Sequence, residues 1–150
     1  MNTSFYKGVI SGVVAGIVWG WISLVVNSIS GAFPFEHTFI FNLMIFSISG
    51  AIFGIIVAGF LNLIGQLLPF KKIMLKAILV STSFWLLLRS GGIVLSIMMP
   101  DRYHPEIPQA IQGFFLSVIL GVLVSLFWDK KSKVLAGHLF NTGIDNKNVW

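Results

Sequence analysis

Four long apolar stretches divide the chain, running from Gly8 to Ile29, from about Phe39 to Leu68, from Ile73 to Met99 and from about Ile111 to Trp128. Each supplies the roughly 20 apolar residues that an α-helix needs to cross a hydrocarbon layer about 30 Å thick. The second and third exceed that minimum, so a tilt or an interfacial end turn is expected of them. Turn-forming residues punctuate the stretches: Gly31 and Pro34, then Pro69, then Pro100, Pro105 and Pro108. An even number of helices joined by short connections favours antiparallel neighbours, so the expected fold is an all-α, up-down bundle of four transmembrane helices. This membrane domain covers residues 1–131. In the tail, residues 132–150, Val134, Leu135, His138 and Leu139 fall at helical spacing and suit a helix lying on the membrane surface. Asn141 to Trp150 reads as a polar end.

Charge gives the bundle a direction. Lys7, Lys71, Lys72, Lys76, Lys130, Lys131, Lys133 and Lys147 all fall on one side of such a bundle, and Arg102 stands alone on the other. By the positive-inside rule, both termini and the second connection are expected on the cytoplasmic side of a multi-pass membrane protein. Composition agrees: apolar residues make up 56% of the 150 and charged residues 10%, against roughly 25% charged in soluble domains. The lipid bilayer is therefore the first expected partner. The net charge of +5 sits in clusters at the ends of apolar runs, with no aromatic-interleaved basic face, so nucleic acid is not an expected partner. Absence of cysteine excludes disulfides and thiolate metal sites. The competing reading of the first run is a cleaved signal peptide, with Lys7 before it and Ser28-Ile29-Ser30 as a small-residue site. The run from Gly8 to Ile29 is longer than the roughly 7 to 15 apolar residues of such a peptide.

Small residues recur at helical spacing in three of the four stretches. Gly8, Gly12, Gly16 and Gly20 form a strip along the first helix, Gly50, Gly54 and Ala58 along the second, and Gly113, Ser117, Gly121 and Ser125 along the fourth. Lipid tails are as apolar as leucine, so helices in a bilayer associate through close backbone approach, which such strips permit. Packing within the chain is the simplest use for them. Three strips among four helices also raise the expectation of a homo-oligomer.

No reaction is written in the sequence. The acids, Glu36, Asp101, Glu106, Asp129 and Asp145, all fall outside the apolar runs, which disfavours proton-coupled exchange through an intramembrane carboxylate and the paired acids of an aspartyl protease. No metalloprotease helix motif, phosphate-binding loop or nucleophile elbow is present, so neither an enzyme nor a cofactor is expected. Glu36 with His37, and His104 with Asp101 and Glu106, could meet at the outer mouth and hold zinc. Solvated helix caps are the simpler reading, and no metal is expected. Asn27, Asn42, Asn62, Gln66 and Gln112 lie near helix ends and suit helix–helix hydrogen bonds; Asn62 and Gln66 share a face at i, i+4.

Arg89 is the exception inside a run. Counted from Lys76 it lies roughly 20 Å along the third helix at about 1.5 Å per residue, a depth at which exposure to lipid is costly. Trp85, one turn earlier, offers a cation–π face. Trp19 and Trp21 lie at a similar depth in the first helix, whereas tryptophan usually sits at the interface. Arg89, Trp85, Trp19 and Trp21 are the candidate ligand-binding residues. A guanidinium snorkelling outward to phosphates, or to Glu36, Asp101 or Glu106, is the competing account.

The layout resembles the small YagU-like bacterial inner-membrane proteins, through Gly12 and Gly16 leading into Trp19-Gly20-Trp21, Trp85 followed by a polar position, Met98-Met99-Pro100 and Trp128-Asp129-Lys130-Lys131. The resemblance covers most of residues 8–131. It implies a four-helix membrane protein with no assigned substrate or reaction. Arg89 stands where the resemblance leads one to expect histidine. Two expectations follow: a non-enzymatic structural, assembly or stress-related membrane protein that self-associates, or a small transporter or channel for an anionic or amphiphilic solute passing Arg89.

Overall fold

The computed structural model describes residues 3–32, 38–100 and 106–142, with side-chain surroundings for residue 6 and residues 8–32, 38–100 and 106–128. The described residues form four helices, α1 (Thr3–Ser30), α2 (Phe39–Ile64), α3 (Ile73–Met98) and α4 (Ile107–Thr142). Each contains a stretch long and apolar enough to cross a membrane. Glu36, His37, Asp101, Arg102, His104 and Lys147 lie outside the described residues, as do the side chains of Lys7, Lys130, Lys131, Lys133 and His138.

The helix ends follow local chemistry. Gly31 closes α1 with φ +63°, its N–H bonded to the Asn27 carbonyl at 2.9 Å, a left-handed cap that costs glycine nothing. The helix of α2 stops at Ile64 rather than Leu68. Gly65 weakens helical preference, Pro69 biases Leu68 away from the helical region, and Leu67 N–H turns back to the Ile64 carbonyl at 2.9 Å. α4 begins at Ile107, a turn before Ile111, with Pro108 in the first turn, where its missing N–H is harmless. It then continues past Trp128 as one helix to Thr142, so the tail segment 132–142 prolongs α4.

α1 lies flat against α2 along most of its length and also packs on α4; α3 packs chiefly on α4 and only lightly on α2. The glycine strips set these distances. A methyl group built on Gly16 would fall 2.6 Å from the Gly50 carbonyl carbon, one on Gly12 would fall 2.7 Å from Ala58 Cβ, and one on Gly20 would fall 2.8 Å from the Phe46 carbonyl carbon. On α4, a methyl on Gly121 would meet the Ile78 backbone nitrogen at 2.8 Å, and one on Gly113 would meet Trp85 Cδ1 at 3.2 Å. Gly8 lies under the Trp128 ring. Among the described residues, all three small-residue strips are therefore covered from within the chain.

The core is small and sits nearer the α2–α3 connection. It comprises Ala15, Val57, Ala58, Leu61, Ala77, Val80, Leu120 and Val124. Outward faces are as apolar as this core, with Ile29, Leu63, Ile97 and Ile107 largely exposed, while Ser11, Ser23, Asn27, Asn42, Ser81, Gln112, Ser117 and Ser125 are buried. Every buried side-chain nitrogen or oxygen among the described residues has a hydrogen-bond partner. Polar groups inside and apolar groups outside are the arrangement expected of a bundle whose solvent is hydrocarbon.

Candidate functional site: an aromatic-walled cavity between the helices

Helical spacing places Trp19, Ser23 and Asn27 one turn apart on α1, and Ser81, Trp85 and Leu88 on one face of α3. Together with Phe46 and Phe53 of α2, Phe84 of α3 and Gln112, Gly113, Leu116 and Ser117 of α4, they line a cavity of about 310 Å³. That volume is at the lower end of ordinary ligand pockets. It lies in the half of the bundle away from Lys71 and Lys72. Because α2 and α3 touch only lightly, the wall between them is the weak one. Leu88, 47% exposed, is the exposed side chain of the lining and marks its rim.

Hydrogen bonding shapes the lining. The Trp19 indole N–H donates to the Leu116 carbonyl at 2.6 Å. Ser81 Oγ donates to the Ser117 carbonyl at 2.7 Å, Ser23 Oγ to the Trp19 carbonyl at 2.8 Å, and Ser117 Oγ to the Phe114 carbonyl at 2.7 Å. These hydroxyls are thereby turned toward helix backbones, and their oxygens offer acceptor lone pairs. Ser30 Oγ donates to Gln112 Oε1 at 2.6 Å, while Gln109 Nε2 donates to the Ala32 carbonyl at 3.2 Å, tying the end of α1 to the start of α4. Asn27 and Asn42 are buried and partnered.

Two ring pairs link α1, α2 and α3 along the cavity, and a third joins α3 to α4. Trp19 meets Phe53 edge-on at 5.7 Å, Phe53 meets Phe84 at 5.9 Å, and Trp85 meets Phe114 at 5.6 Å. Phe84 also lines a second hollow of about 220 Å³ between α2 and α3, with Phe60, Ile64, Leu68, Leu79 and Leu87. The Phe53–Phe84 pair thus stands between two hollows of one furrow.

Of the sequence candidates, Trp19 and Trp85 line the cavity. Trp21 does not; it is 50% exposed on the outer side of the α1–α2 pair, where its indole N–H donates to Ser47 Oγ at 2.9 Å. Arg89 does not line it either. Its Nη2 donates to the Glu106 carbonyl at 3.3 Å, at the start of α4. The antiparallel pairs Ser81–Ser117 and Trp85–Gly113 set a register that brings Arg89 level with the first turn of α4. From Ser90 to Met98, α3 runs on for roughly 14 Å beyond that level. Arg89 is therefore a rim residue, although its own helix alone places it deep. Ser23, Ser81, Phe46, Phe53 and Phe84 are lining residues that inspection of the chain did not single out; hydroxyls inside apolar runs are the signal that marks two of them.

No protein-family model, curated protein or solved structure matches this chain. Among the described residues, the lining contains no ionisable side chain and no nucleophile paired with a base. What it offers is aromatic contact and a few hydrogen-bonding groups.

Proposed function

We propose that the protein is a non-enzymatic, multi-pass membrane protein, with both termini and the α2–α3 connection on the cytoplasmic side of a bacterial inner membrane, that holds an apolar or amphiphilic molecule taken from the bilayer. The single observation that carries the reading is the cavity itself: its wall is aromatic and aliphatic, free of ionisable groups, and loosest at the α2–α3 furrow facing the surroundings sideways. A water-borne ion finds no charge there to replace its hydration. An acyl chain or ring system finds aromatic and aliphatic contact along this lining. The inside-out distribution of polarity and the clustering of lysines support membrane insertion and its direction.

Arg89, the residue of the transporter alternative, is not among the residues lining this cavity and donates to the Glu106 carbonyl. A structural role through self-association is favoured by a different surface: α3 is the least buried helix, and Gly91 and Gly92 have open space where side chains would stand.

Binding of a fluorescent fatty-acid analogue to detergent-purified protein tests the proposal. Saturable binding is expected, weakened at least several-fold by Leu88→Trp, which narrows the rim without touching the core. Non-saturable uptake that ignores this substitution contradicts it.

A further inference from the structure

At the opposite end of the bundle, where α2 stops and α3 starts, a recess of about 280 Å³ is lined by Asn62, Gly65, Gln66, Lys71, Lys76 and Trp128, among others, with no carboxylate among the described side chains that line it. Its polarity differs from that of the cavity above, and three features set positive charge against the carbonyl end of α2. Lys76 Nζ donates to the Gly65 carbonyl at the C-terminus of α2, which holds the ammonium in the recess with donors to spare. Lys71 is exposed beside it. Lys72 occupies the N-cap of α3 with no side-chain cap bond, so the first-turn N–H groups near Ile73, itself part of the lining, keep their partial positive charge. Asn62 and Gln66, one turn apart, add amide donors.

We propose that this recess binds the phosphate of an anionic phospholipid, with an acyl chain lying in the neighbouring α2–α3 hollow. The hollow supplies the reason for lipid rather than free phosphate. Ile64 and Leu68, beside Gly65 and Gln66, line it, and it is almost wholly apolar. A headgroup in the recess thus has a place for its tail a few ångströms away on the same two helices. The wider setting is cationic, since Lys7, Lys130, Lys131 and Lys133 occupy the helix segments ending on this side, against Asp129. Basic pockets between membrane helices on the cytoplasmic side suit anionic headgroups. The inference rests on the membrane reading above.

Native mass spectrometry of the full chain in mild detergent, offered equimolar phosphatidylglycerol and phosphatidylcholine, tests it. Preferential phosphatidylglycerol adducts are expected, with the preference reduced roughly fivefold by Lys71→Gln and further by Lys71→Gln with Lys76→Gln. Circular dichroism checks that each variant is folded; should the double variant unfold, Lys71→Gln alone decides. Equal adducts of both lipids in the unsubstituted chain overturn the proposal, as does a preference unchanged in Lys71→Gln. Stabilisation by inorganic phosphate equal to that by phosphatidylglycerol overturns the lipid assignment in favour of a free-phosphate site. Release of the chain from cell membranes without detergent instead overturns the membrane reading, and is scored separately before lipid is added.

Discussion

The indole N–H of Trp19 donates to the carbonyl of Leu116 across 2.6 Å, joining α1 to α4 in the wall of the cavity. This bond explains why a tryptophan sits in mid-helix rather than at an interface. The ring fills space against Phe53, and its polar atom has a partner in an otherwise apolar wall. Trp19→Phe keeps most of the ring and loses the donor, so it should cost about 1 kcal/mol of stability. Trp19→Ala also opens a void and should cost about 3 to 5 kcal/mol. Unfolding in mixed micelles measures both, and equal small losses would show that the hydrogen bond and the ring contribute little.

The glycines separate into two groups with opposite expected responses. Gly16 faces the Gly50 backbone, and a methyl group there forces α1 and α2 apart; Gly59 has open space around it. Gly16→Ala should lower the midpoint of thermal unfolding clearly, and Gly16→Leu should lower it further. Gly59→Ala should be neutral or stabilise by up to about 1 kcal/mol through helix propensity. The same thermal scan reads all three variants.

Arg89 has a defined, limited role in this structure. Arg89→Leu removes its bond to the Glu106 carbonyl and should loosen the α3–α4 pair by about 1 kcal/mol or less, since the bond is exposed. Affinity for the fatty-acid analogue should stay within about twofold, because Arg89 is not part of the lining. A large loss of affinity in a folded Arg89→Leu protein would restore the guanidinium as a ligand group.

Much of the architecture was legible from the chain because helix length and apolar runs are local properties. Phe39, Ile73 and the Gly31 and Pro69 boundaries all mark where backbone chemistry changes. The extension of α4 was hidden by Asp129-Lys130-Lys131, which reads as an interface, although lysine is a good helix former and no proline or glycine interrupts before Ala136-Gly137. The strips were visible, but their partners were not: that Gly16 meets Gly50 and Gly121 meets Ile78 depends on which helices become neighbours. Arg89 shows the same limit. Depth counted along one helix ignores where the adjacent helix begins. The cavity was the least legible feature, since it arises from the light contact of α2 with α3 and not from any motif.

The central claim, that the cavity opens sideways to lipid, is tested most directly by thiol labelling. The chain has no cysteine, so Leu88→Cys provides a single reactive group at the rim. In intact membranes this thiol should react with a lipid-partitioning maleimide, more slowly once the fatty-acid analogue is bound, and should resist a charged, water-soluble reagent that readily labels Lys72→Cys in opened vesicles. Equal labelling of Leu88→Cys and Lys72→Cys by the charged reagent would place the rim in water and contradict the account.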